Sequence, residues 1–267
     1  MVGARHFTVA ITALVAFAPS ASADRSAKVT ITAAPAAPWV AVGSRVGITG
    51  KVTPHPAGIR VTLEQQAAGG WRAVGTASVH PDGAFSFVTR PDKPGPTNYR
   101  VATSTGADLT GSSAPVRVKV LEWSFLADID AFIYARPIVG DISTEPIKAG
   151  GVTYEHPVSL DAGCYNPYDG SFWIDYNLAG QYRMFAATVA IEDAAPSPKT
   201  ATYTIFAGGK ILASGSLADT GSKKVSVSVD GMNRLRLRVN VPDVNHSAGC
   251  SEEITKVVFG DARLLGA

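Results

Sequence analysis

Apolar residues recur at every second position along this chain, in short runs, and helical three-to-four spacing is nearly absent. Lys28-Val29-Thr30-Ile31-Thr32 sets the pattern, and Ile59/Val61/Leu63, Phe85/Phe87, Tyr99/Val101 and Val116/Val118/Val120 repeat it. Polar residues fill the intervening positions, so each segment has one face for a core and one for water, as a half-buried antiparallel strand requires. The chain's 26 glycines and 17 prolines punctuate these runs. In Pro81-Asp82-Gly83 proline fixes φ and glycine supplies a positive φ, which makes a turn between two strands. The second half continues with Ile174/Tyr176/Leu178, Phe185/Ala187/Val189/Ile191, Tyr203/Ile205, Val225/Val227/Val229, Leu235/Leu237/Val239 and Val257-Val258-Phe259. The pattern predicts an all-β protein built of two antiparallel sandwiches.

The N-terminus points to export. Arg5 precedes an apolar-to-small run from Phe7 to Ala18, and Ala21-Ser22-Ala23 offers the small-x-small sequence that signal peptidase cuts. The run is too short for a hydrocarbon layer roughly 30 Å thick, so a membrane anchor is the weaker alternative. Residues 1–23 are read as a signal peptide and the mature protein, starting at Asp24, as secreted. A formal charge of +2 with 17% charged residues provides no basic field for nucleic acid or anionic lipid. No later apolar stretch approaches a membrane span, so neither nucleic acid nor membrane insertion is expected, and the protein is expected to be a monomer. The character of the chain changes near Leu121, which divides it into units over 24–120 and 121–267.

The two cysteines, Cys164 and Cys250, both lie in the second unit. In an exported chain a lone pair is most simply one disulfide, contributing roughly 4 kcal/mol by the chain-entropy model; two free buried thiols are the alternative. Strand direction supports the pairing. Antiparallel neighbours alternate in direction, which places the connections at 161–171, 192–199, 217–222 and 241–255 at one end of the sandwich. The turns at 179–182, 208–209 and 230–233 fall at the other end. The long-connection pole would then carry both cysteines with Tyr165, Asn166, Tyr168, Asp169, Glu192, Asp193, Asp219, Asn245 and His246. Trp173 stands out of phase with Ile174, so its indole is expected to face away from the core. Aromatic faces accept the C–H edges of sugar rings, while carboxylates and amides take hydroxyls. Tyr165, Tyr168, Asp169, Trp173, Asn245 and His246 are therefore the candidate ligand-binding residues. The alternative is that these aromatics simply cover the base of the loops.

Val61-Thr62-Leu63-Glu64-Gln65, Trp71-Arg72-Ala73-Val74-Gly75-Thr76-Ala77 and Asp82-Gly83-Ala84-Phe85-Ser86-Phe87 give the first unit a resemblance to bacterial immunoglobulin-like domains. The second unit resembles the NPCBM carbohydrate-binding modules, close to family 51. The matching segments include Gly151-Val152-Thr153-Tyr154, Ile174 to Tyr182, Phe185 to Asp193, Leu235 to Val239 and Phe259 to Leu264. The resemblance implies a galactose-binding-like jelly roll whose partner is carbohydrate. Relatives of that fold often hold a structural calcium ion, for which Glu192, Asp193 and Asp261 offer hard oxygens, although no dedicated calcium loop is present. No cofactor is required. The sequence also departs from the family pattern at Glu155-His156-Pro157 and at Gly208-Gly209, where an Asp-Gly turn is usual.

No nucleophile elbow, zinc-protease helix or phosphate-cradling glycine loop occurs. His55, His80 and His156 sit beside prolines in turns. The sequence therefore predicts a non-enzymatic, secreted glycan-binding protein. The second reading is a structural or protein-interaction protein whose jelly roll no longer binds sugar.

Overall fold

The computed structural model describes residues 27–54, 58–103, 109–134, 142–162, 171–195, 200–218, 221–240 and 255–266. Two main cores organise them, with a smaller cluster of Ala149, Tyr154, Ala190 and Val258. The first lies among residues 29–120 and is built on Ile48, Val61, Leu63, Phe85, Tyr99, Val101 and Val118. The second lies among residues 126–264, around Phe172, Ile174, Phe185, Val189, Ile205, Leu237 and Phe259. Each member comes from the apolar phase of an alternating segment, the phase that burial selects.

The first unit contains β1 (Ala27–Lys28), β2 (Thr30–Pro35), β3 (Trp39–Ala41), β4 (Val46–Thr53), β5 (Arg60–Ala67) and β6 (Gly70–Ser78). It continues with β7 (Ala84–Thr89), β8 (Gly95–Thr103), β9 (Leu109–Thr110) and β10 (Val116–Phe125). One layer is β2-β4-β7 and the facing layer runs β10-β8-β5-β6, with β3 parallel to β10. The turn between β6 and β7 is closed where Ala84 N donates to Asp82 Oδ1 at 3.0 Å, with Gly83 at φ +84°.

A boundary at residues 120 and 121 falls inside β10, so no linker separates the units. The strand pairs with β8 through Val116–Val120 and with the last strand of the chain through Glu122–Phe125. Val116, Val118 and Val120 are buried against the first unit, and Leu121 is buried directly after Val120. This doubled apolar step reverses the buried phase, so a single strand serves two bodies. The change of character at Leu121 reflects that phase switch.

The second unit contains β11 (Ile133–Tyr134), β12 (Ile142–Ser143), β13 (Ile147–Ala149), β14 (Val152–Tyr154), β15 (Val158–Ala162) and β16 (Ser171–Asn177). Then follow β17 (Met184–Ile191), β18 (Thr200–Ala207), β19 (Lys210–Ala218), β20 (Ser222–Ser228), β21 (Arg234–Asn240) and β22 (Thr255–Gly266). One layer is β11-β16-β21-β18-β19. In the other, β22 is flanked by β15 and β10 on one side and β17 on the other, with β12 beyond β15 and β20 beyond β17. Except for the β18–β19 hairpin, successive strands from β15 onward change layer, the alternation expected of a jelly roll. That hairpin turns on Gly208 (φ +55°) and Gly209 (φ +78°), two consecutive positive-φ residues that suit a tight hairpin.

All these long pairings are antiparallel. Ala162, Ser171, Ile191, Thr200, Ala218, Ser222, Asn240 and Thr255 therefore lie at one end of the sandwich, the pole that strand parity predicts. One of its connections is shorter than expected. Strand β19 extends to Ala218 and β20 begins at Ser222, with Gly221 N donating to Ala218 O at 2.7 Å. The alternating pattern simply continues closer to the turn than its last strongly apolar residue, Leu217, suggests.

Candidate functional site: the outer face of the β11–β19 layer

The side of this layer facing away from the core is built in cross-strand rows. From the pole downward, Ser171, Asn240 and Thr202 lie opposite one another, then Trp173, Arg238 and Thr204, then Asp175, Arg236 and Phe206. Asn177 and Arg234 complete the ladder at the far end. The segment Arg234-Leu235-Arg236-Leu237-Arg238-Val239-Asn240 explains the arrangement. Its leucines and valine fill the core, so strict alternation brings three guanidiniums onto one outer face.

Asp175 lies at the centre of this face and is fully buried. Arg236 binds it with both prongs of its fork, Nε to Oδ1 at 2.7 Å and Nη2 to Oδ2 at 2.9 Å. Arg234 Nε adds a contact to Oδ2 at 3.1 Å. A buried carboxylate needs such compensation, and the planar guanidinium fork matches its geometry. Hydrogen bonding to Asp175 holds the Arg236 guanidinium above its ordinary pKa, against the opposing effect of burial. Arg236 also lies 3.9 Å from the Trp173 ring centre, and Arg234 lies 5.5 Å from that of Phe132. These cation–π contacts fix the indole and both guanidiniums in place.

The result is a groove of about 390 Å³ lined by Ser171, Trp173, Phe206 to Gly209, Arg234, Arg236 and Arg238. A smaller recess of about 230 Å³, lined by Thr202, Thr204, Arg238, Val239 and Asn240, continues it toward the pole. Arg238 borders both. Chemically the surface offers an aromatic wall, several guanidinium donors, hydroxyls and one amide.

Of the sequence-predicted ligand residues, the structure places Trp173 here, pointing outward as its phase requires. Tyr165, Tyr168, Asp169, Asn245, His246 and both cysteines lie outside the described residues. Arg234, Arg236, Arg238 and Asp175 are functional candidates that sequence reasoning missed. The signal was present as Arg-Leu-Arg-Leu-Arg, but only its apolar half was used.

The three calcium candidates all lie among the described residues. Asp193 accepts from Gly151 N at 3.1 and 3.2 Å and pairs with Lys148 Nζ at 3.8 Å, tying the β13–β14 hairpin to the end of β17. Glu192 bridges through its backbone to Ala149 and to Lys256. Asp261, at φ +46°, sits where β22 bulges against β17. Burial chiefly raises the Tyr154 phenol above its ordinary pKa, and the charges of Asp261 and Asp193 add to the shift. The two carboxylates thus share Tyr154 as a neighbour. Among the described residues no three His, Cys, Asp or Glu side chains converge as a metal cluster.

The profile of the NPCBM/NEW2 domain matches residues 128–264. The chain belongs to this family. The NPCBM/NEW2 region holds every strand of the groove. Among solved structures, the chain is similar to the CBM51 of Clostridium perfringens GH95 in complex with methyl-galactose, at 20% identity and TM-score 0.42. That alignment covers 53% of this chain and 99% of that one. It is also similar to the CBM51-2 and INT domains of Clostridium perfringens ZmpB, at 17% identity and TM-score 0.42, covering 65% of this chain and 38% of that one. A third similarity is to the carbohydrate-binding module CBM36 in complex with calcium and xylotriose, at 10% identity and TM-score 0.28, covering 54% and 98%. No curated protein matches the chain.

Proposed function

We propose that this is a secreted, non-catalytic glycan-binding protein. In this reading residues 1–23 direct export, 24–120 form an immunoglobulin-like spacer, and the NPCBM/NEW2 unit over 121–267 docks carbohydrate on its outer layer toward the pole. Membership of a carbohydrate-binding family supports it. The observation that carries it is Trp173, held at the wall of an open groove beside hydroxyl, amide and guanidinium groups rather than in the core. The connections bearing Tyr165, Tyr168, Asp169, Asn245 and His246 leave from the same pole and would extend the surface. A Cys164–Cys250 disulfide would tie that rim. Ala162 and Thr255 are direct cross-strand partners, and the cysteines lie two and five residues beyond them, well within the chain's reach.

Affinity electrophoresis of the mature protein through gels containing neutral and acidic polysaccharides tests the reading. At least one polysaccharide should retard the protein, and Trp173→Ala should weaken that retardation roughly tenfold, about 1.4 kcal/mol. Trp71→Ala, which removes an arginine-capped tryptophan of the first unit, should leave it unchanged. Absence of retardation in every gel, with capture of a protein partner instead, would favour the structural alternative.

A further inference from the structure

We propose that the first unit is a structural part of the NPCBM/NEW2 unit rather than a tether, and that β10 couples the two so that neither unfolds without the other. The inference stands whether or not the groove binds sugar. The first argument is the edge that β10 closes. The family match begins at residue 128, after β10 has ended at Phe125. Inside the matched unit, β22 pairs with β17 on one side and, from Arg263 to Gly266, with Glu122–Phe125 of β10 on the other. Without β10 that stretch would be a bare edge, its backbone N–H and C=O groups left unpaired. The strand that covers it belongs equally to the first unit, where Val116–Val120 lies beside β8. Among the described residues no other strand pairs across the two units.

The second argument is packing at the seam. Leu121 and Leu265 are buried, yet they belong to neither main core. Leu121 is held from the first unit, where its carbonyl accepts from Val42 N at 2.8 Å and Ala41 is its parallel neighbour. Leu265 lies directly opposite Trp123, and Arg263 stands 4.7 Å from the Trp123 ring centre. Phe125 stacks on His156, just ahead of β15, with ring centres 4.1 Å apart and planes 10° apart. The backbone at Leu121 is thus anchored in one unit while the side chains that follow it are gripped by the other. Unfolding either unit frees one half of β10 and removes the order that positions the other half.

The third argument is continuity. Every residue from Val116 to Phe125 has a ladder partner, first in β8, then in β3 from Lys119 to Leu121, then in β22. A hinge needs a few residues free to change φ and ψ, and β10 contains none. It also contains no glycine or proline. A Gly/Ser linker would leave two units thermodynamically independent; a paired strand passes the loss of one to the other.

The test is pulsed hydrogen exchange, read by mass spectrometry along a urea titration of the mature protein. Peptides covering β4 and β5 should lose protection at the same urea concentration as those covering β17 and β21. Val118→Ala empties part of the first core and Leu237→Ala part of the second. Each should lower the midpoint in both units together, by roughly 1 M. Insertion of Gly-Ser-Gly-Ser between Val120 and Leu121 should part the two transitions, so that each core variant then shifts only its own unit. Two separate midpoints in the parent protein would overturn the inference. So would a Val118→Ala shift confined to the first unit, or a shared transition that survives the insertion. The two core variants decide the matter by themselves should the insertion prevent folding.

Discussion

The two units carry similar chemistry on their outer sheet faces and use it differently. On the first, Glu64 lies opposite Arg100 on the neighbouring strand and pairs with it at 2.6 Å, and Arg100 covers Trp71 at 4.5 Å. Asn98 donates to Gln66 at 2.7 Å and Arg60 to Thr76 at 3.1 Å. Both members of the ion pair remain partly exposed. On the second, the carboxylate is buried and two guanidiniums converge on it beside a third. A tryptophan, an arginine and an acid therefore do not define a site by themselves. The depth of the acid decides how many guanidiniums converge on it.

Removing each acid should expose that difference most strongly. Asp175→Ala leaves two oriented cations around an emptied buried position and should cost about 3 kcal/mol in urea denaturation. Glu64→Ala removes a partly hydrated pair and should cost under about 1 kcal/mol. Equal losses would mean that burial does not distinguish the two faces.

Glycines at close strand approaches give a second, somewhat smaller contrast. A Cβ on Gly50 in the first unit would overlap the backbone oxygen of Thr32 and meet the Phe85 ring edge at 2.5 Å. On Gly260 in the second unit it would overlap the Tyr154 ring. A backbone oxygen held in a ladder cannot rotate aside, whereas a tyrosine ring can tilt. Gly50→Ala should therefore lower stability by about 3 kcal/mol and Gly260→Ala by about 2 kcal/mol. Thermal or chemical denaturation of the two variants checks the order.

These contrasts also show what a sequence can carry. Strand identity and buried faces were legible because alternation is local, as in Leu235/Leu237/Val239. The shared pole was legible because strand direction alternates whatever the order within a layer. The Asp175–Arg236 pair was not, because its members are 61 positions apart in the chain. They meet only because β16 and β21 are neighbours in a layer that the chain repeatedly leaves and re-enters. The continuous β10 was hidden for a related reason. A reversal of phase at Val120–Leu121 reads equally well as the end of one strand and the start of another.

The smallest expected effect separates the units by alkaline titration. Burial raises the phenol pKa of Tyr99 in the first unit and of Tyr154, Tyr176 and Tyr203 in the second, with Tyr176 shifted furthest and by burial alone. A raised phenol keeps its proton in the folded state when the unfolded chain, near pKa 10, has begun to lose it. The unfolded state then binds fewer protons, so stability is fully present below about pH 10 and falls as pH rises above that value. At pH 11 one such tyrosine should account for about 1.4 kcal/mol of the loss. Tyr176→Phe cannot ionise, so its stability curve between pH 8 and pH 11 should be flatter than that of the parent protein by that amount, while Tyr99→Phe should flatten it less. Parallel curves for Tyr176→Phe and the parent would mean that the Tyr176 phenol ionises as readily in the folded core as in water, against its near-complete burial.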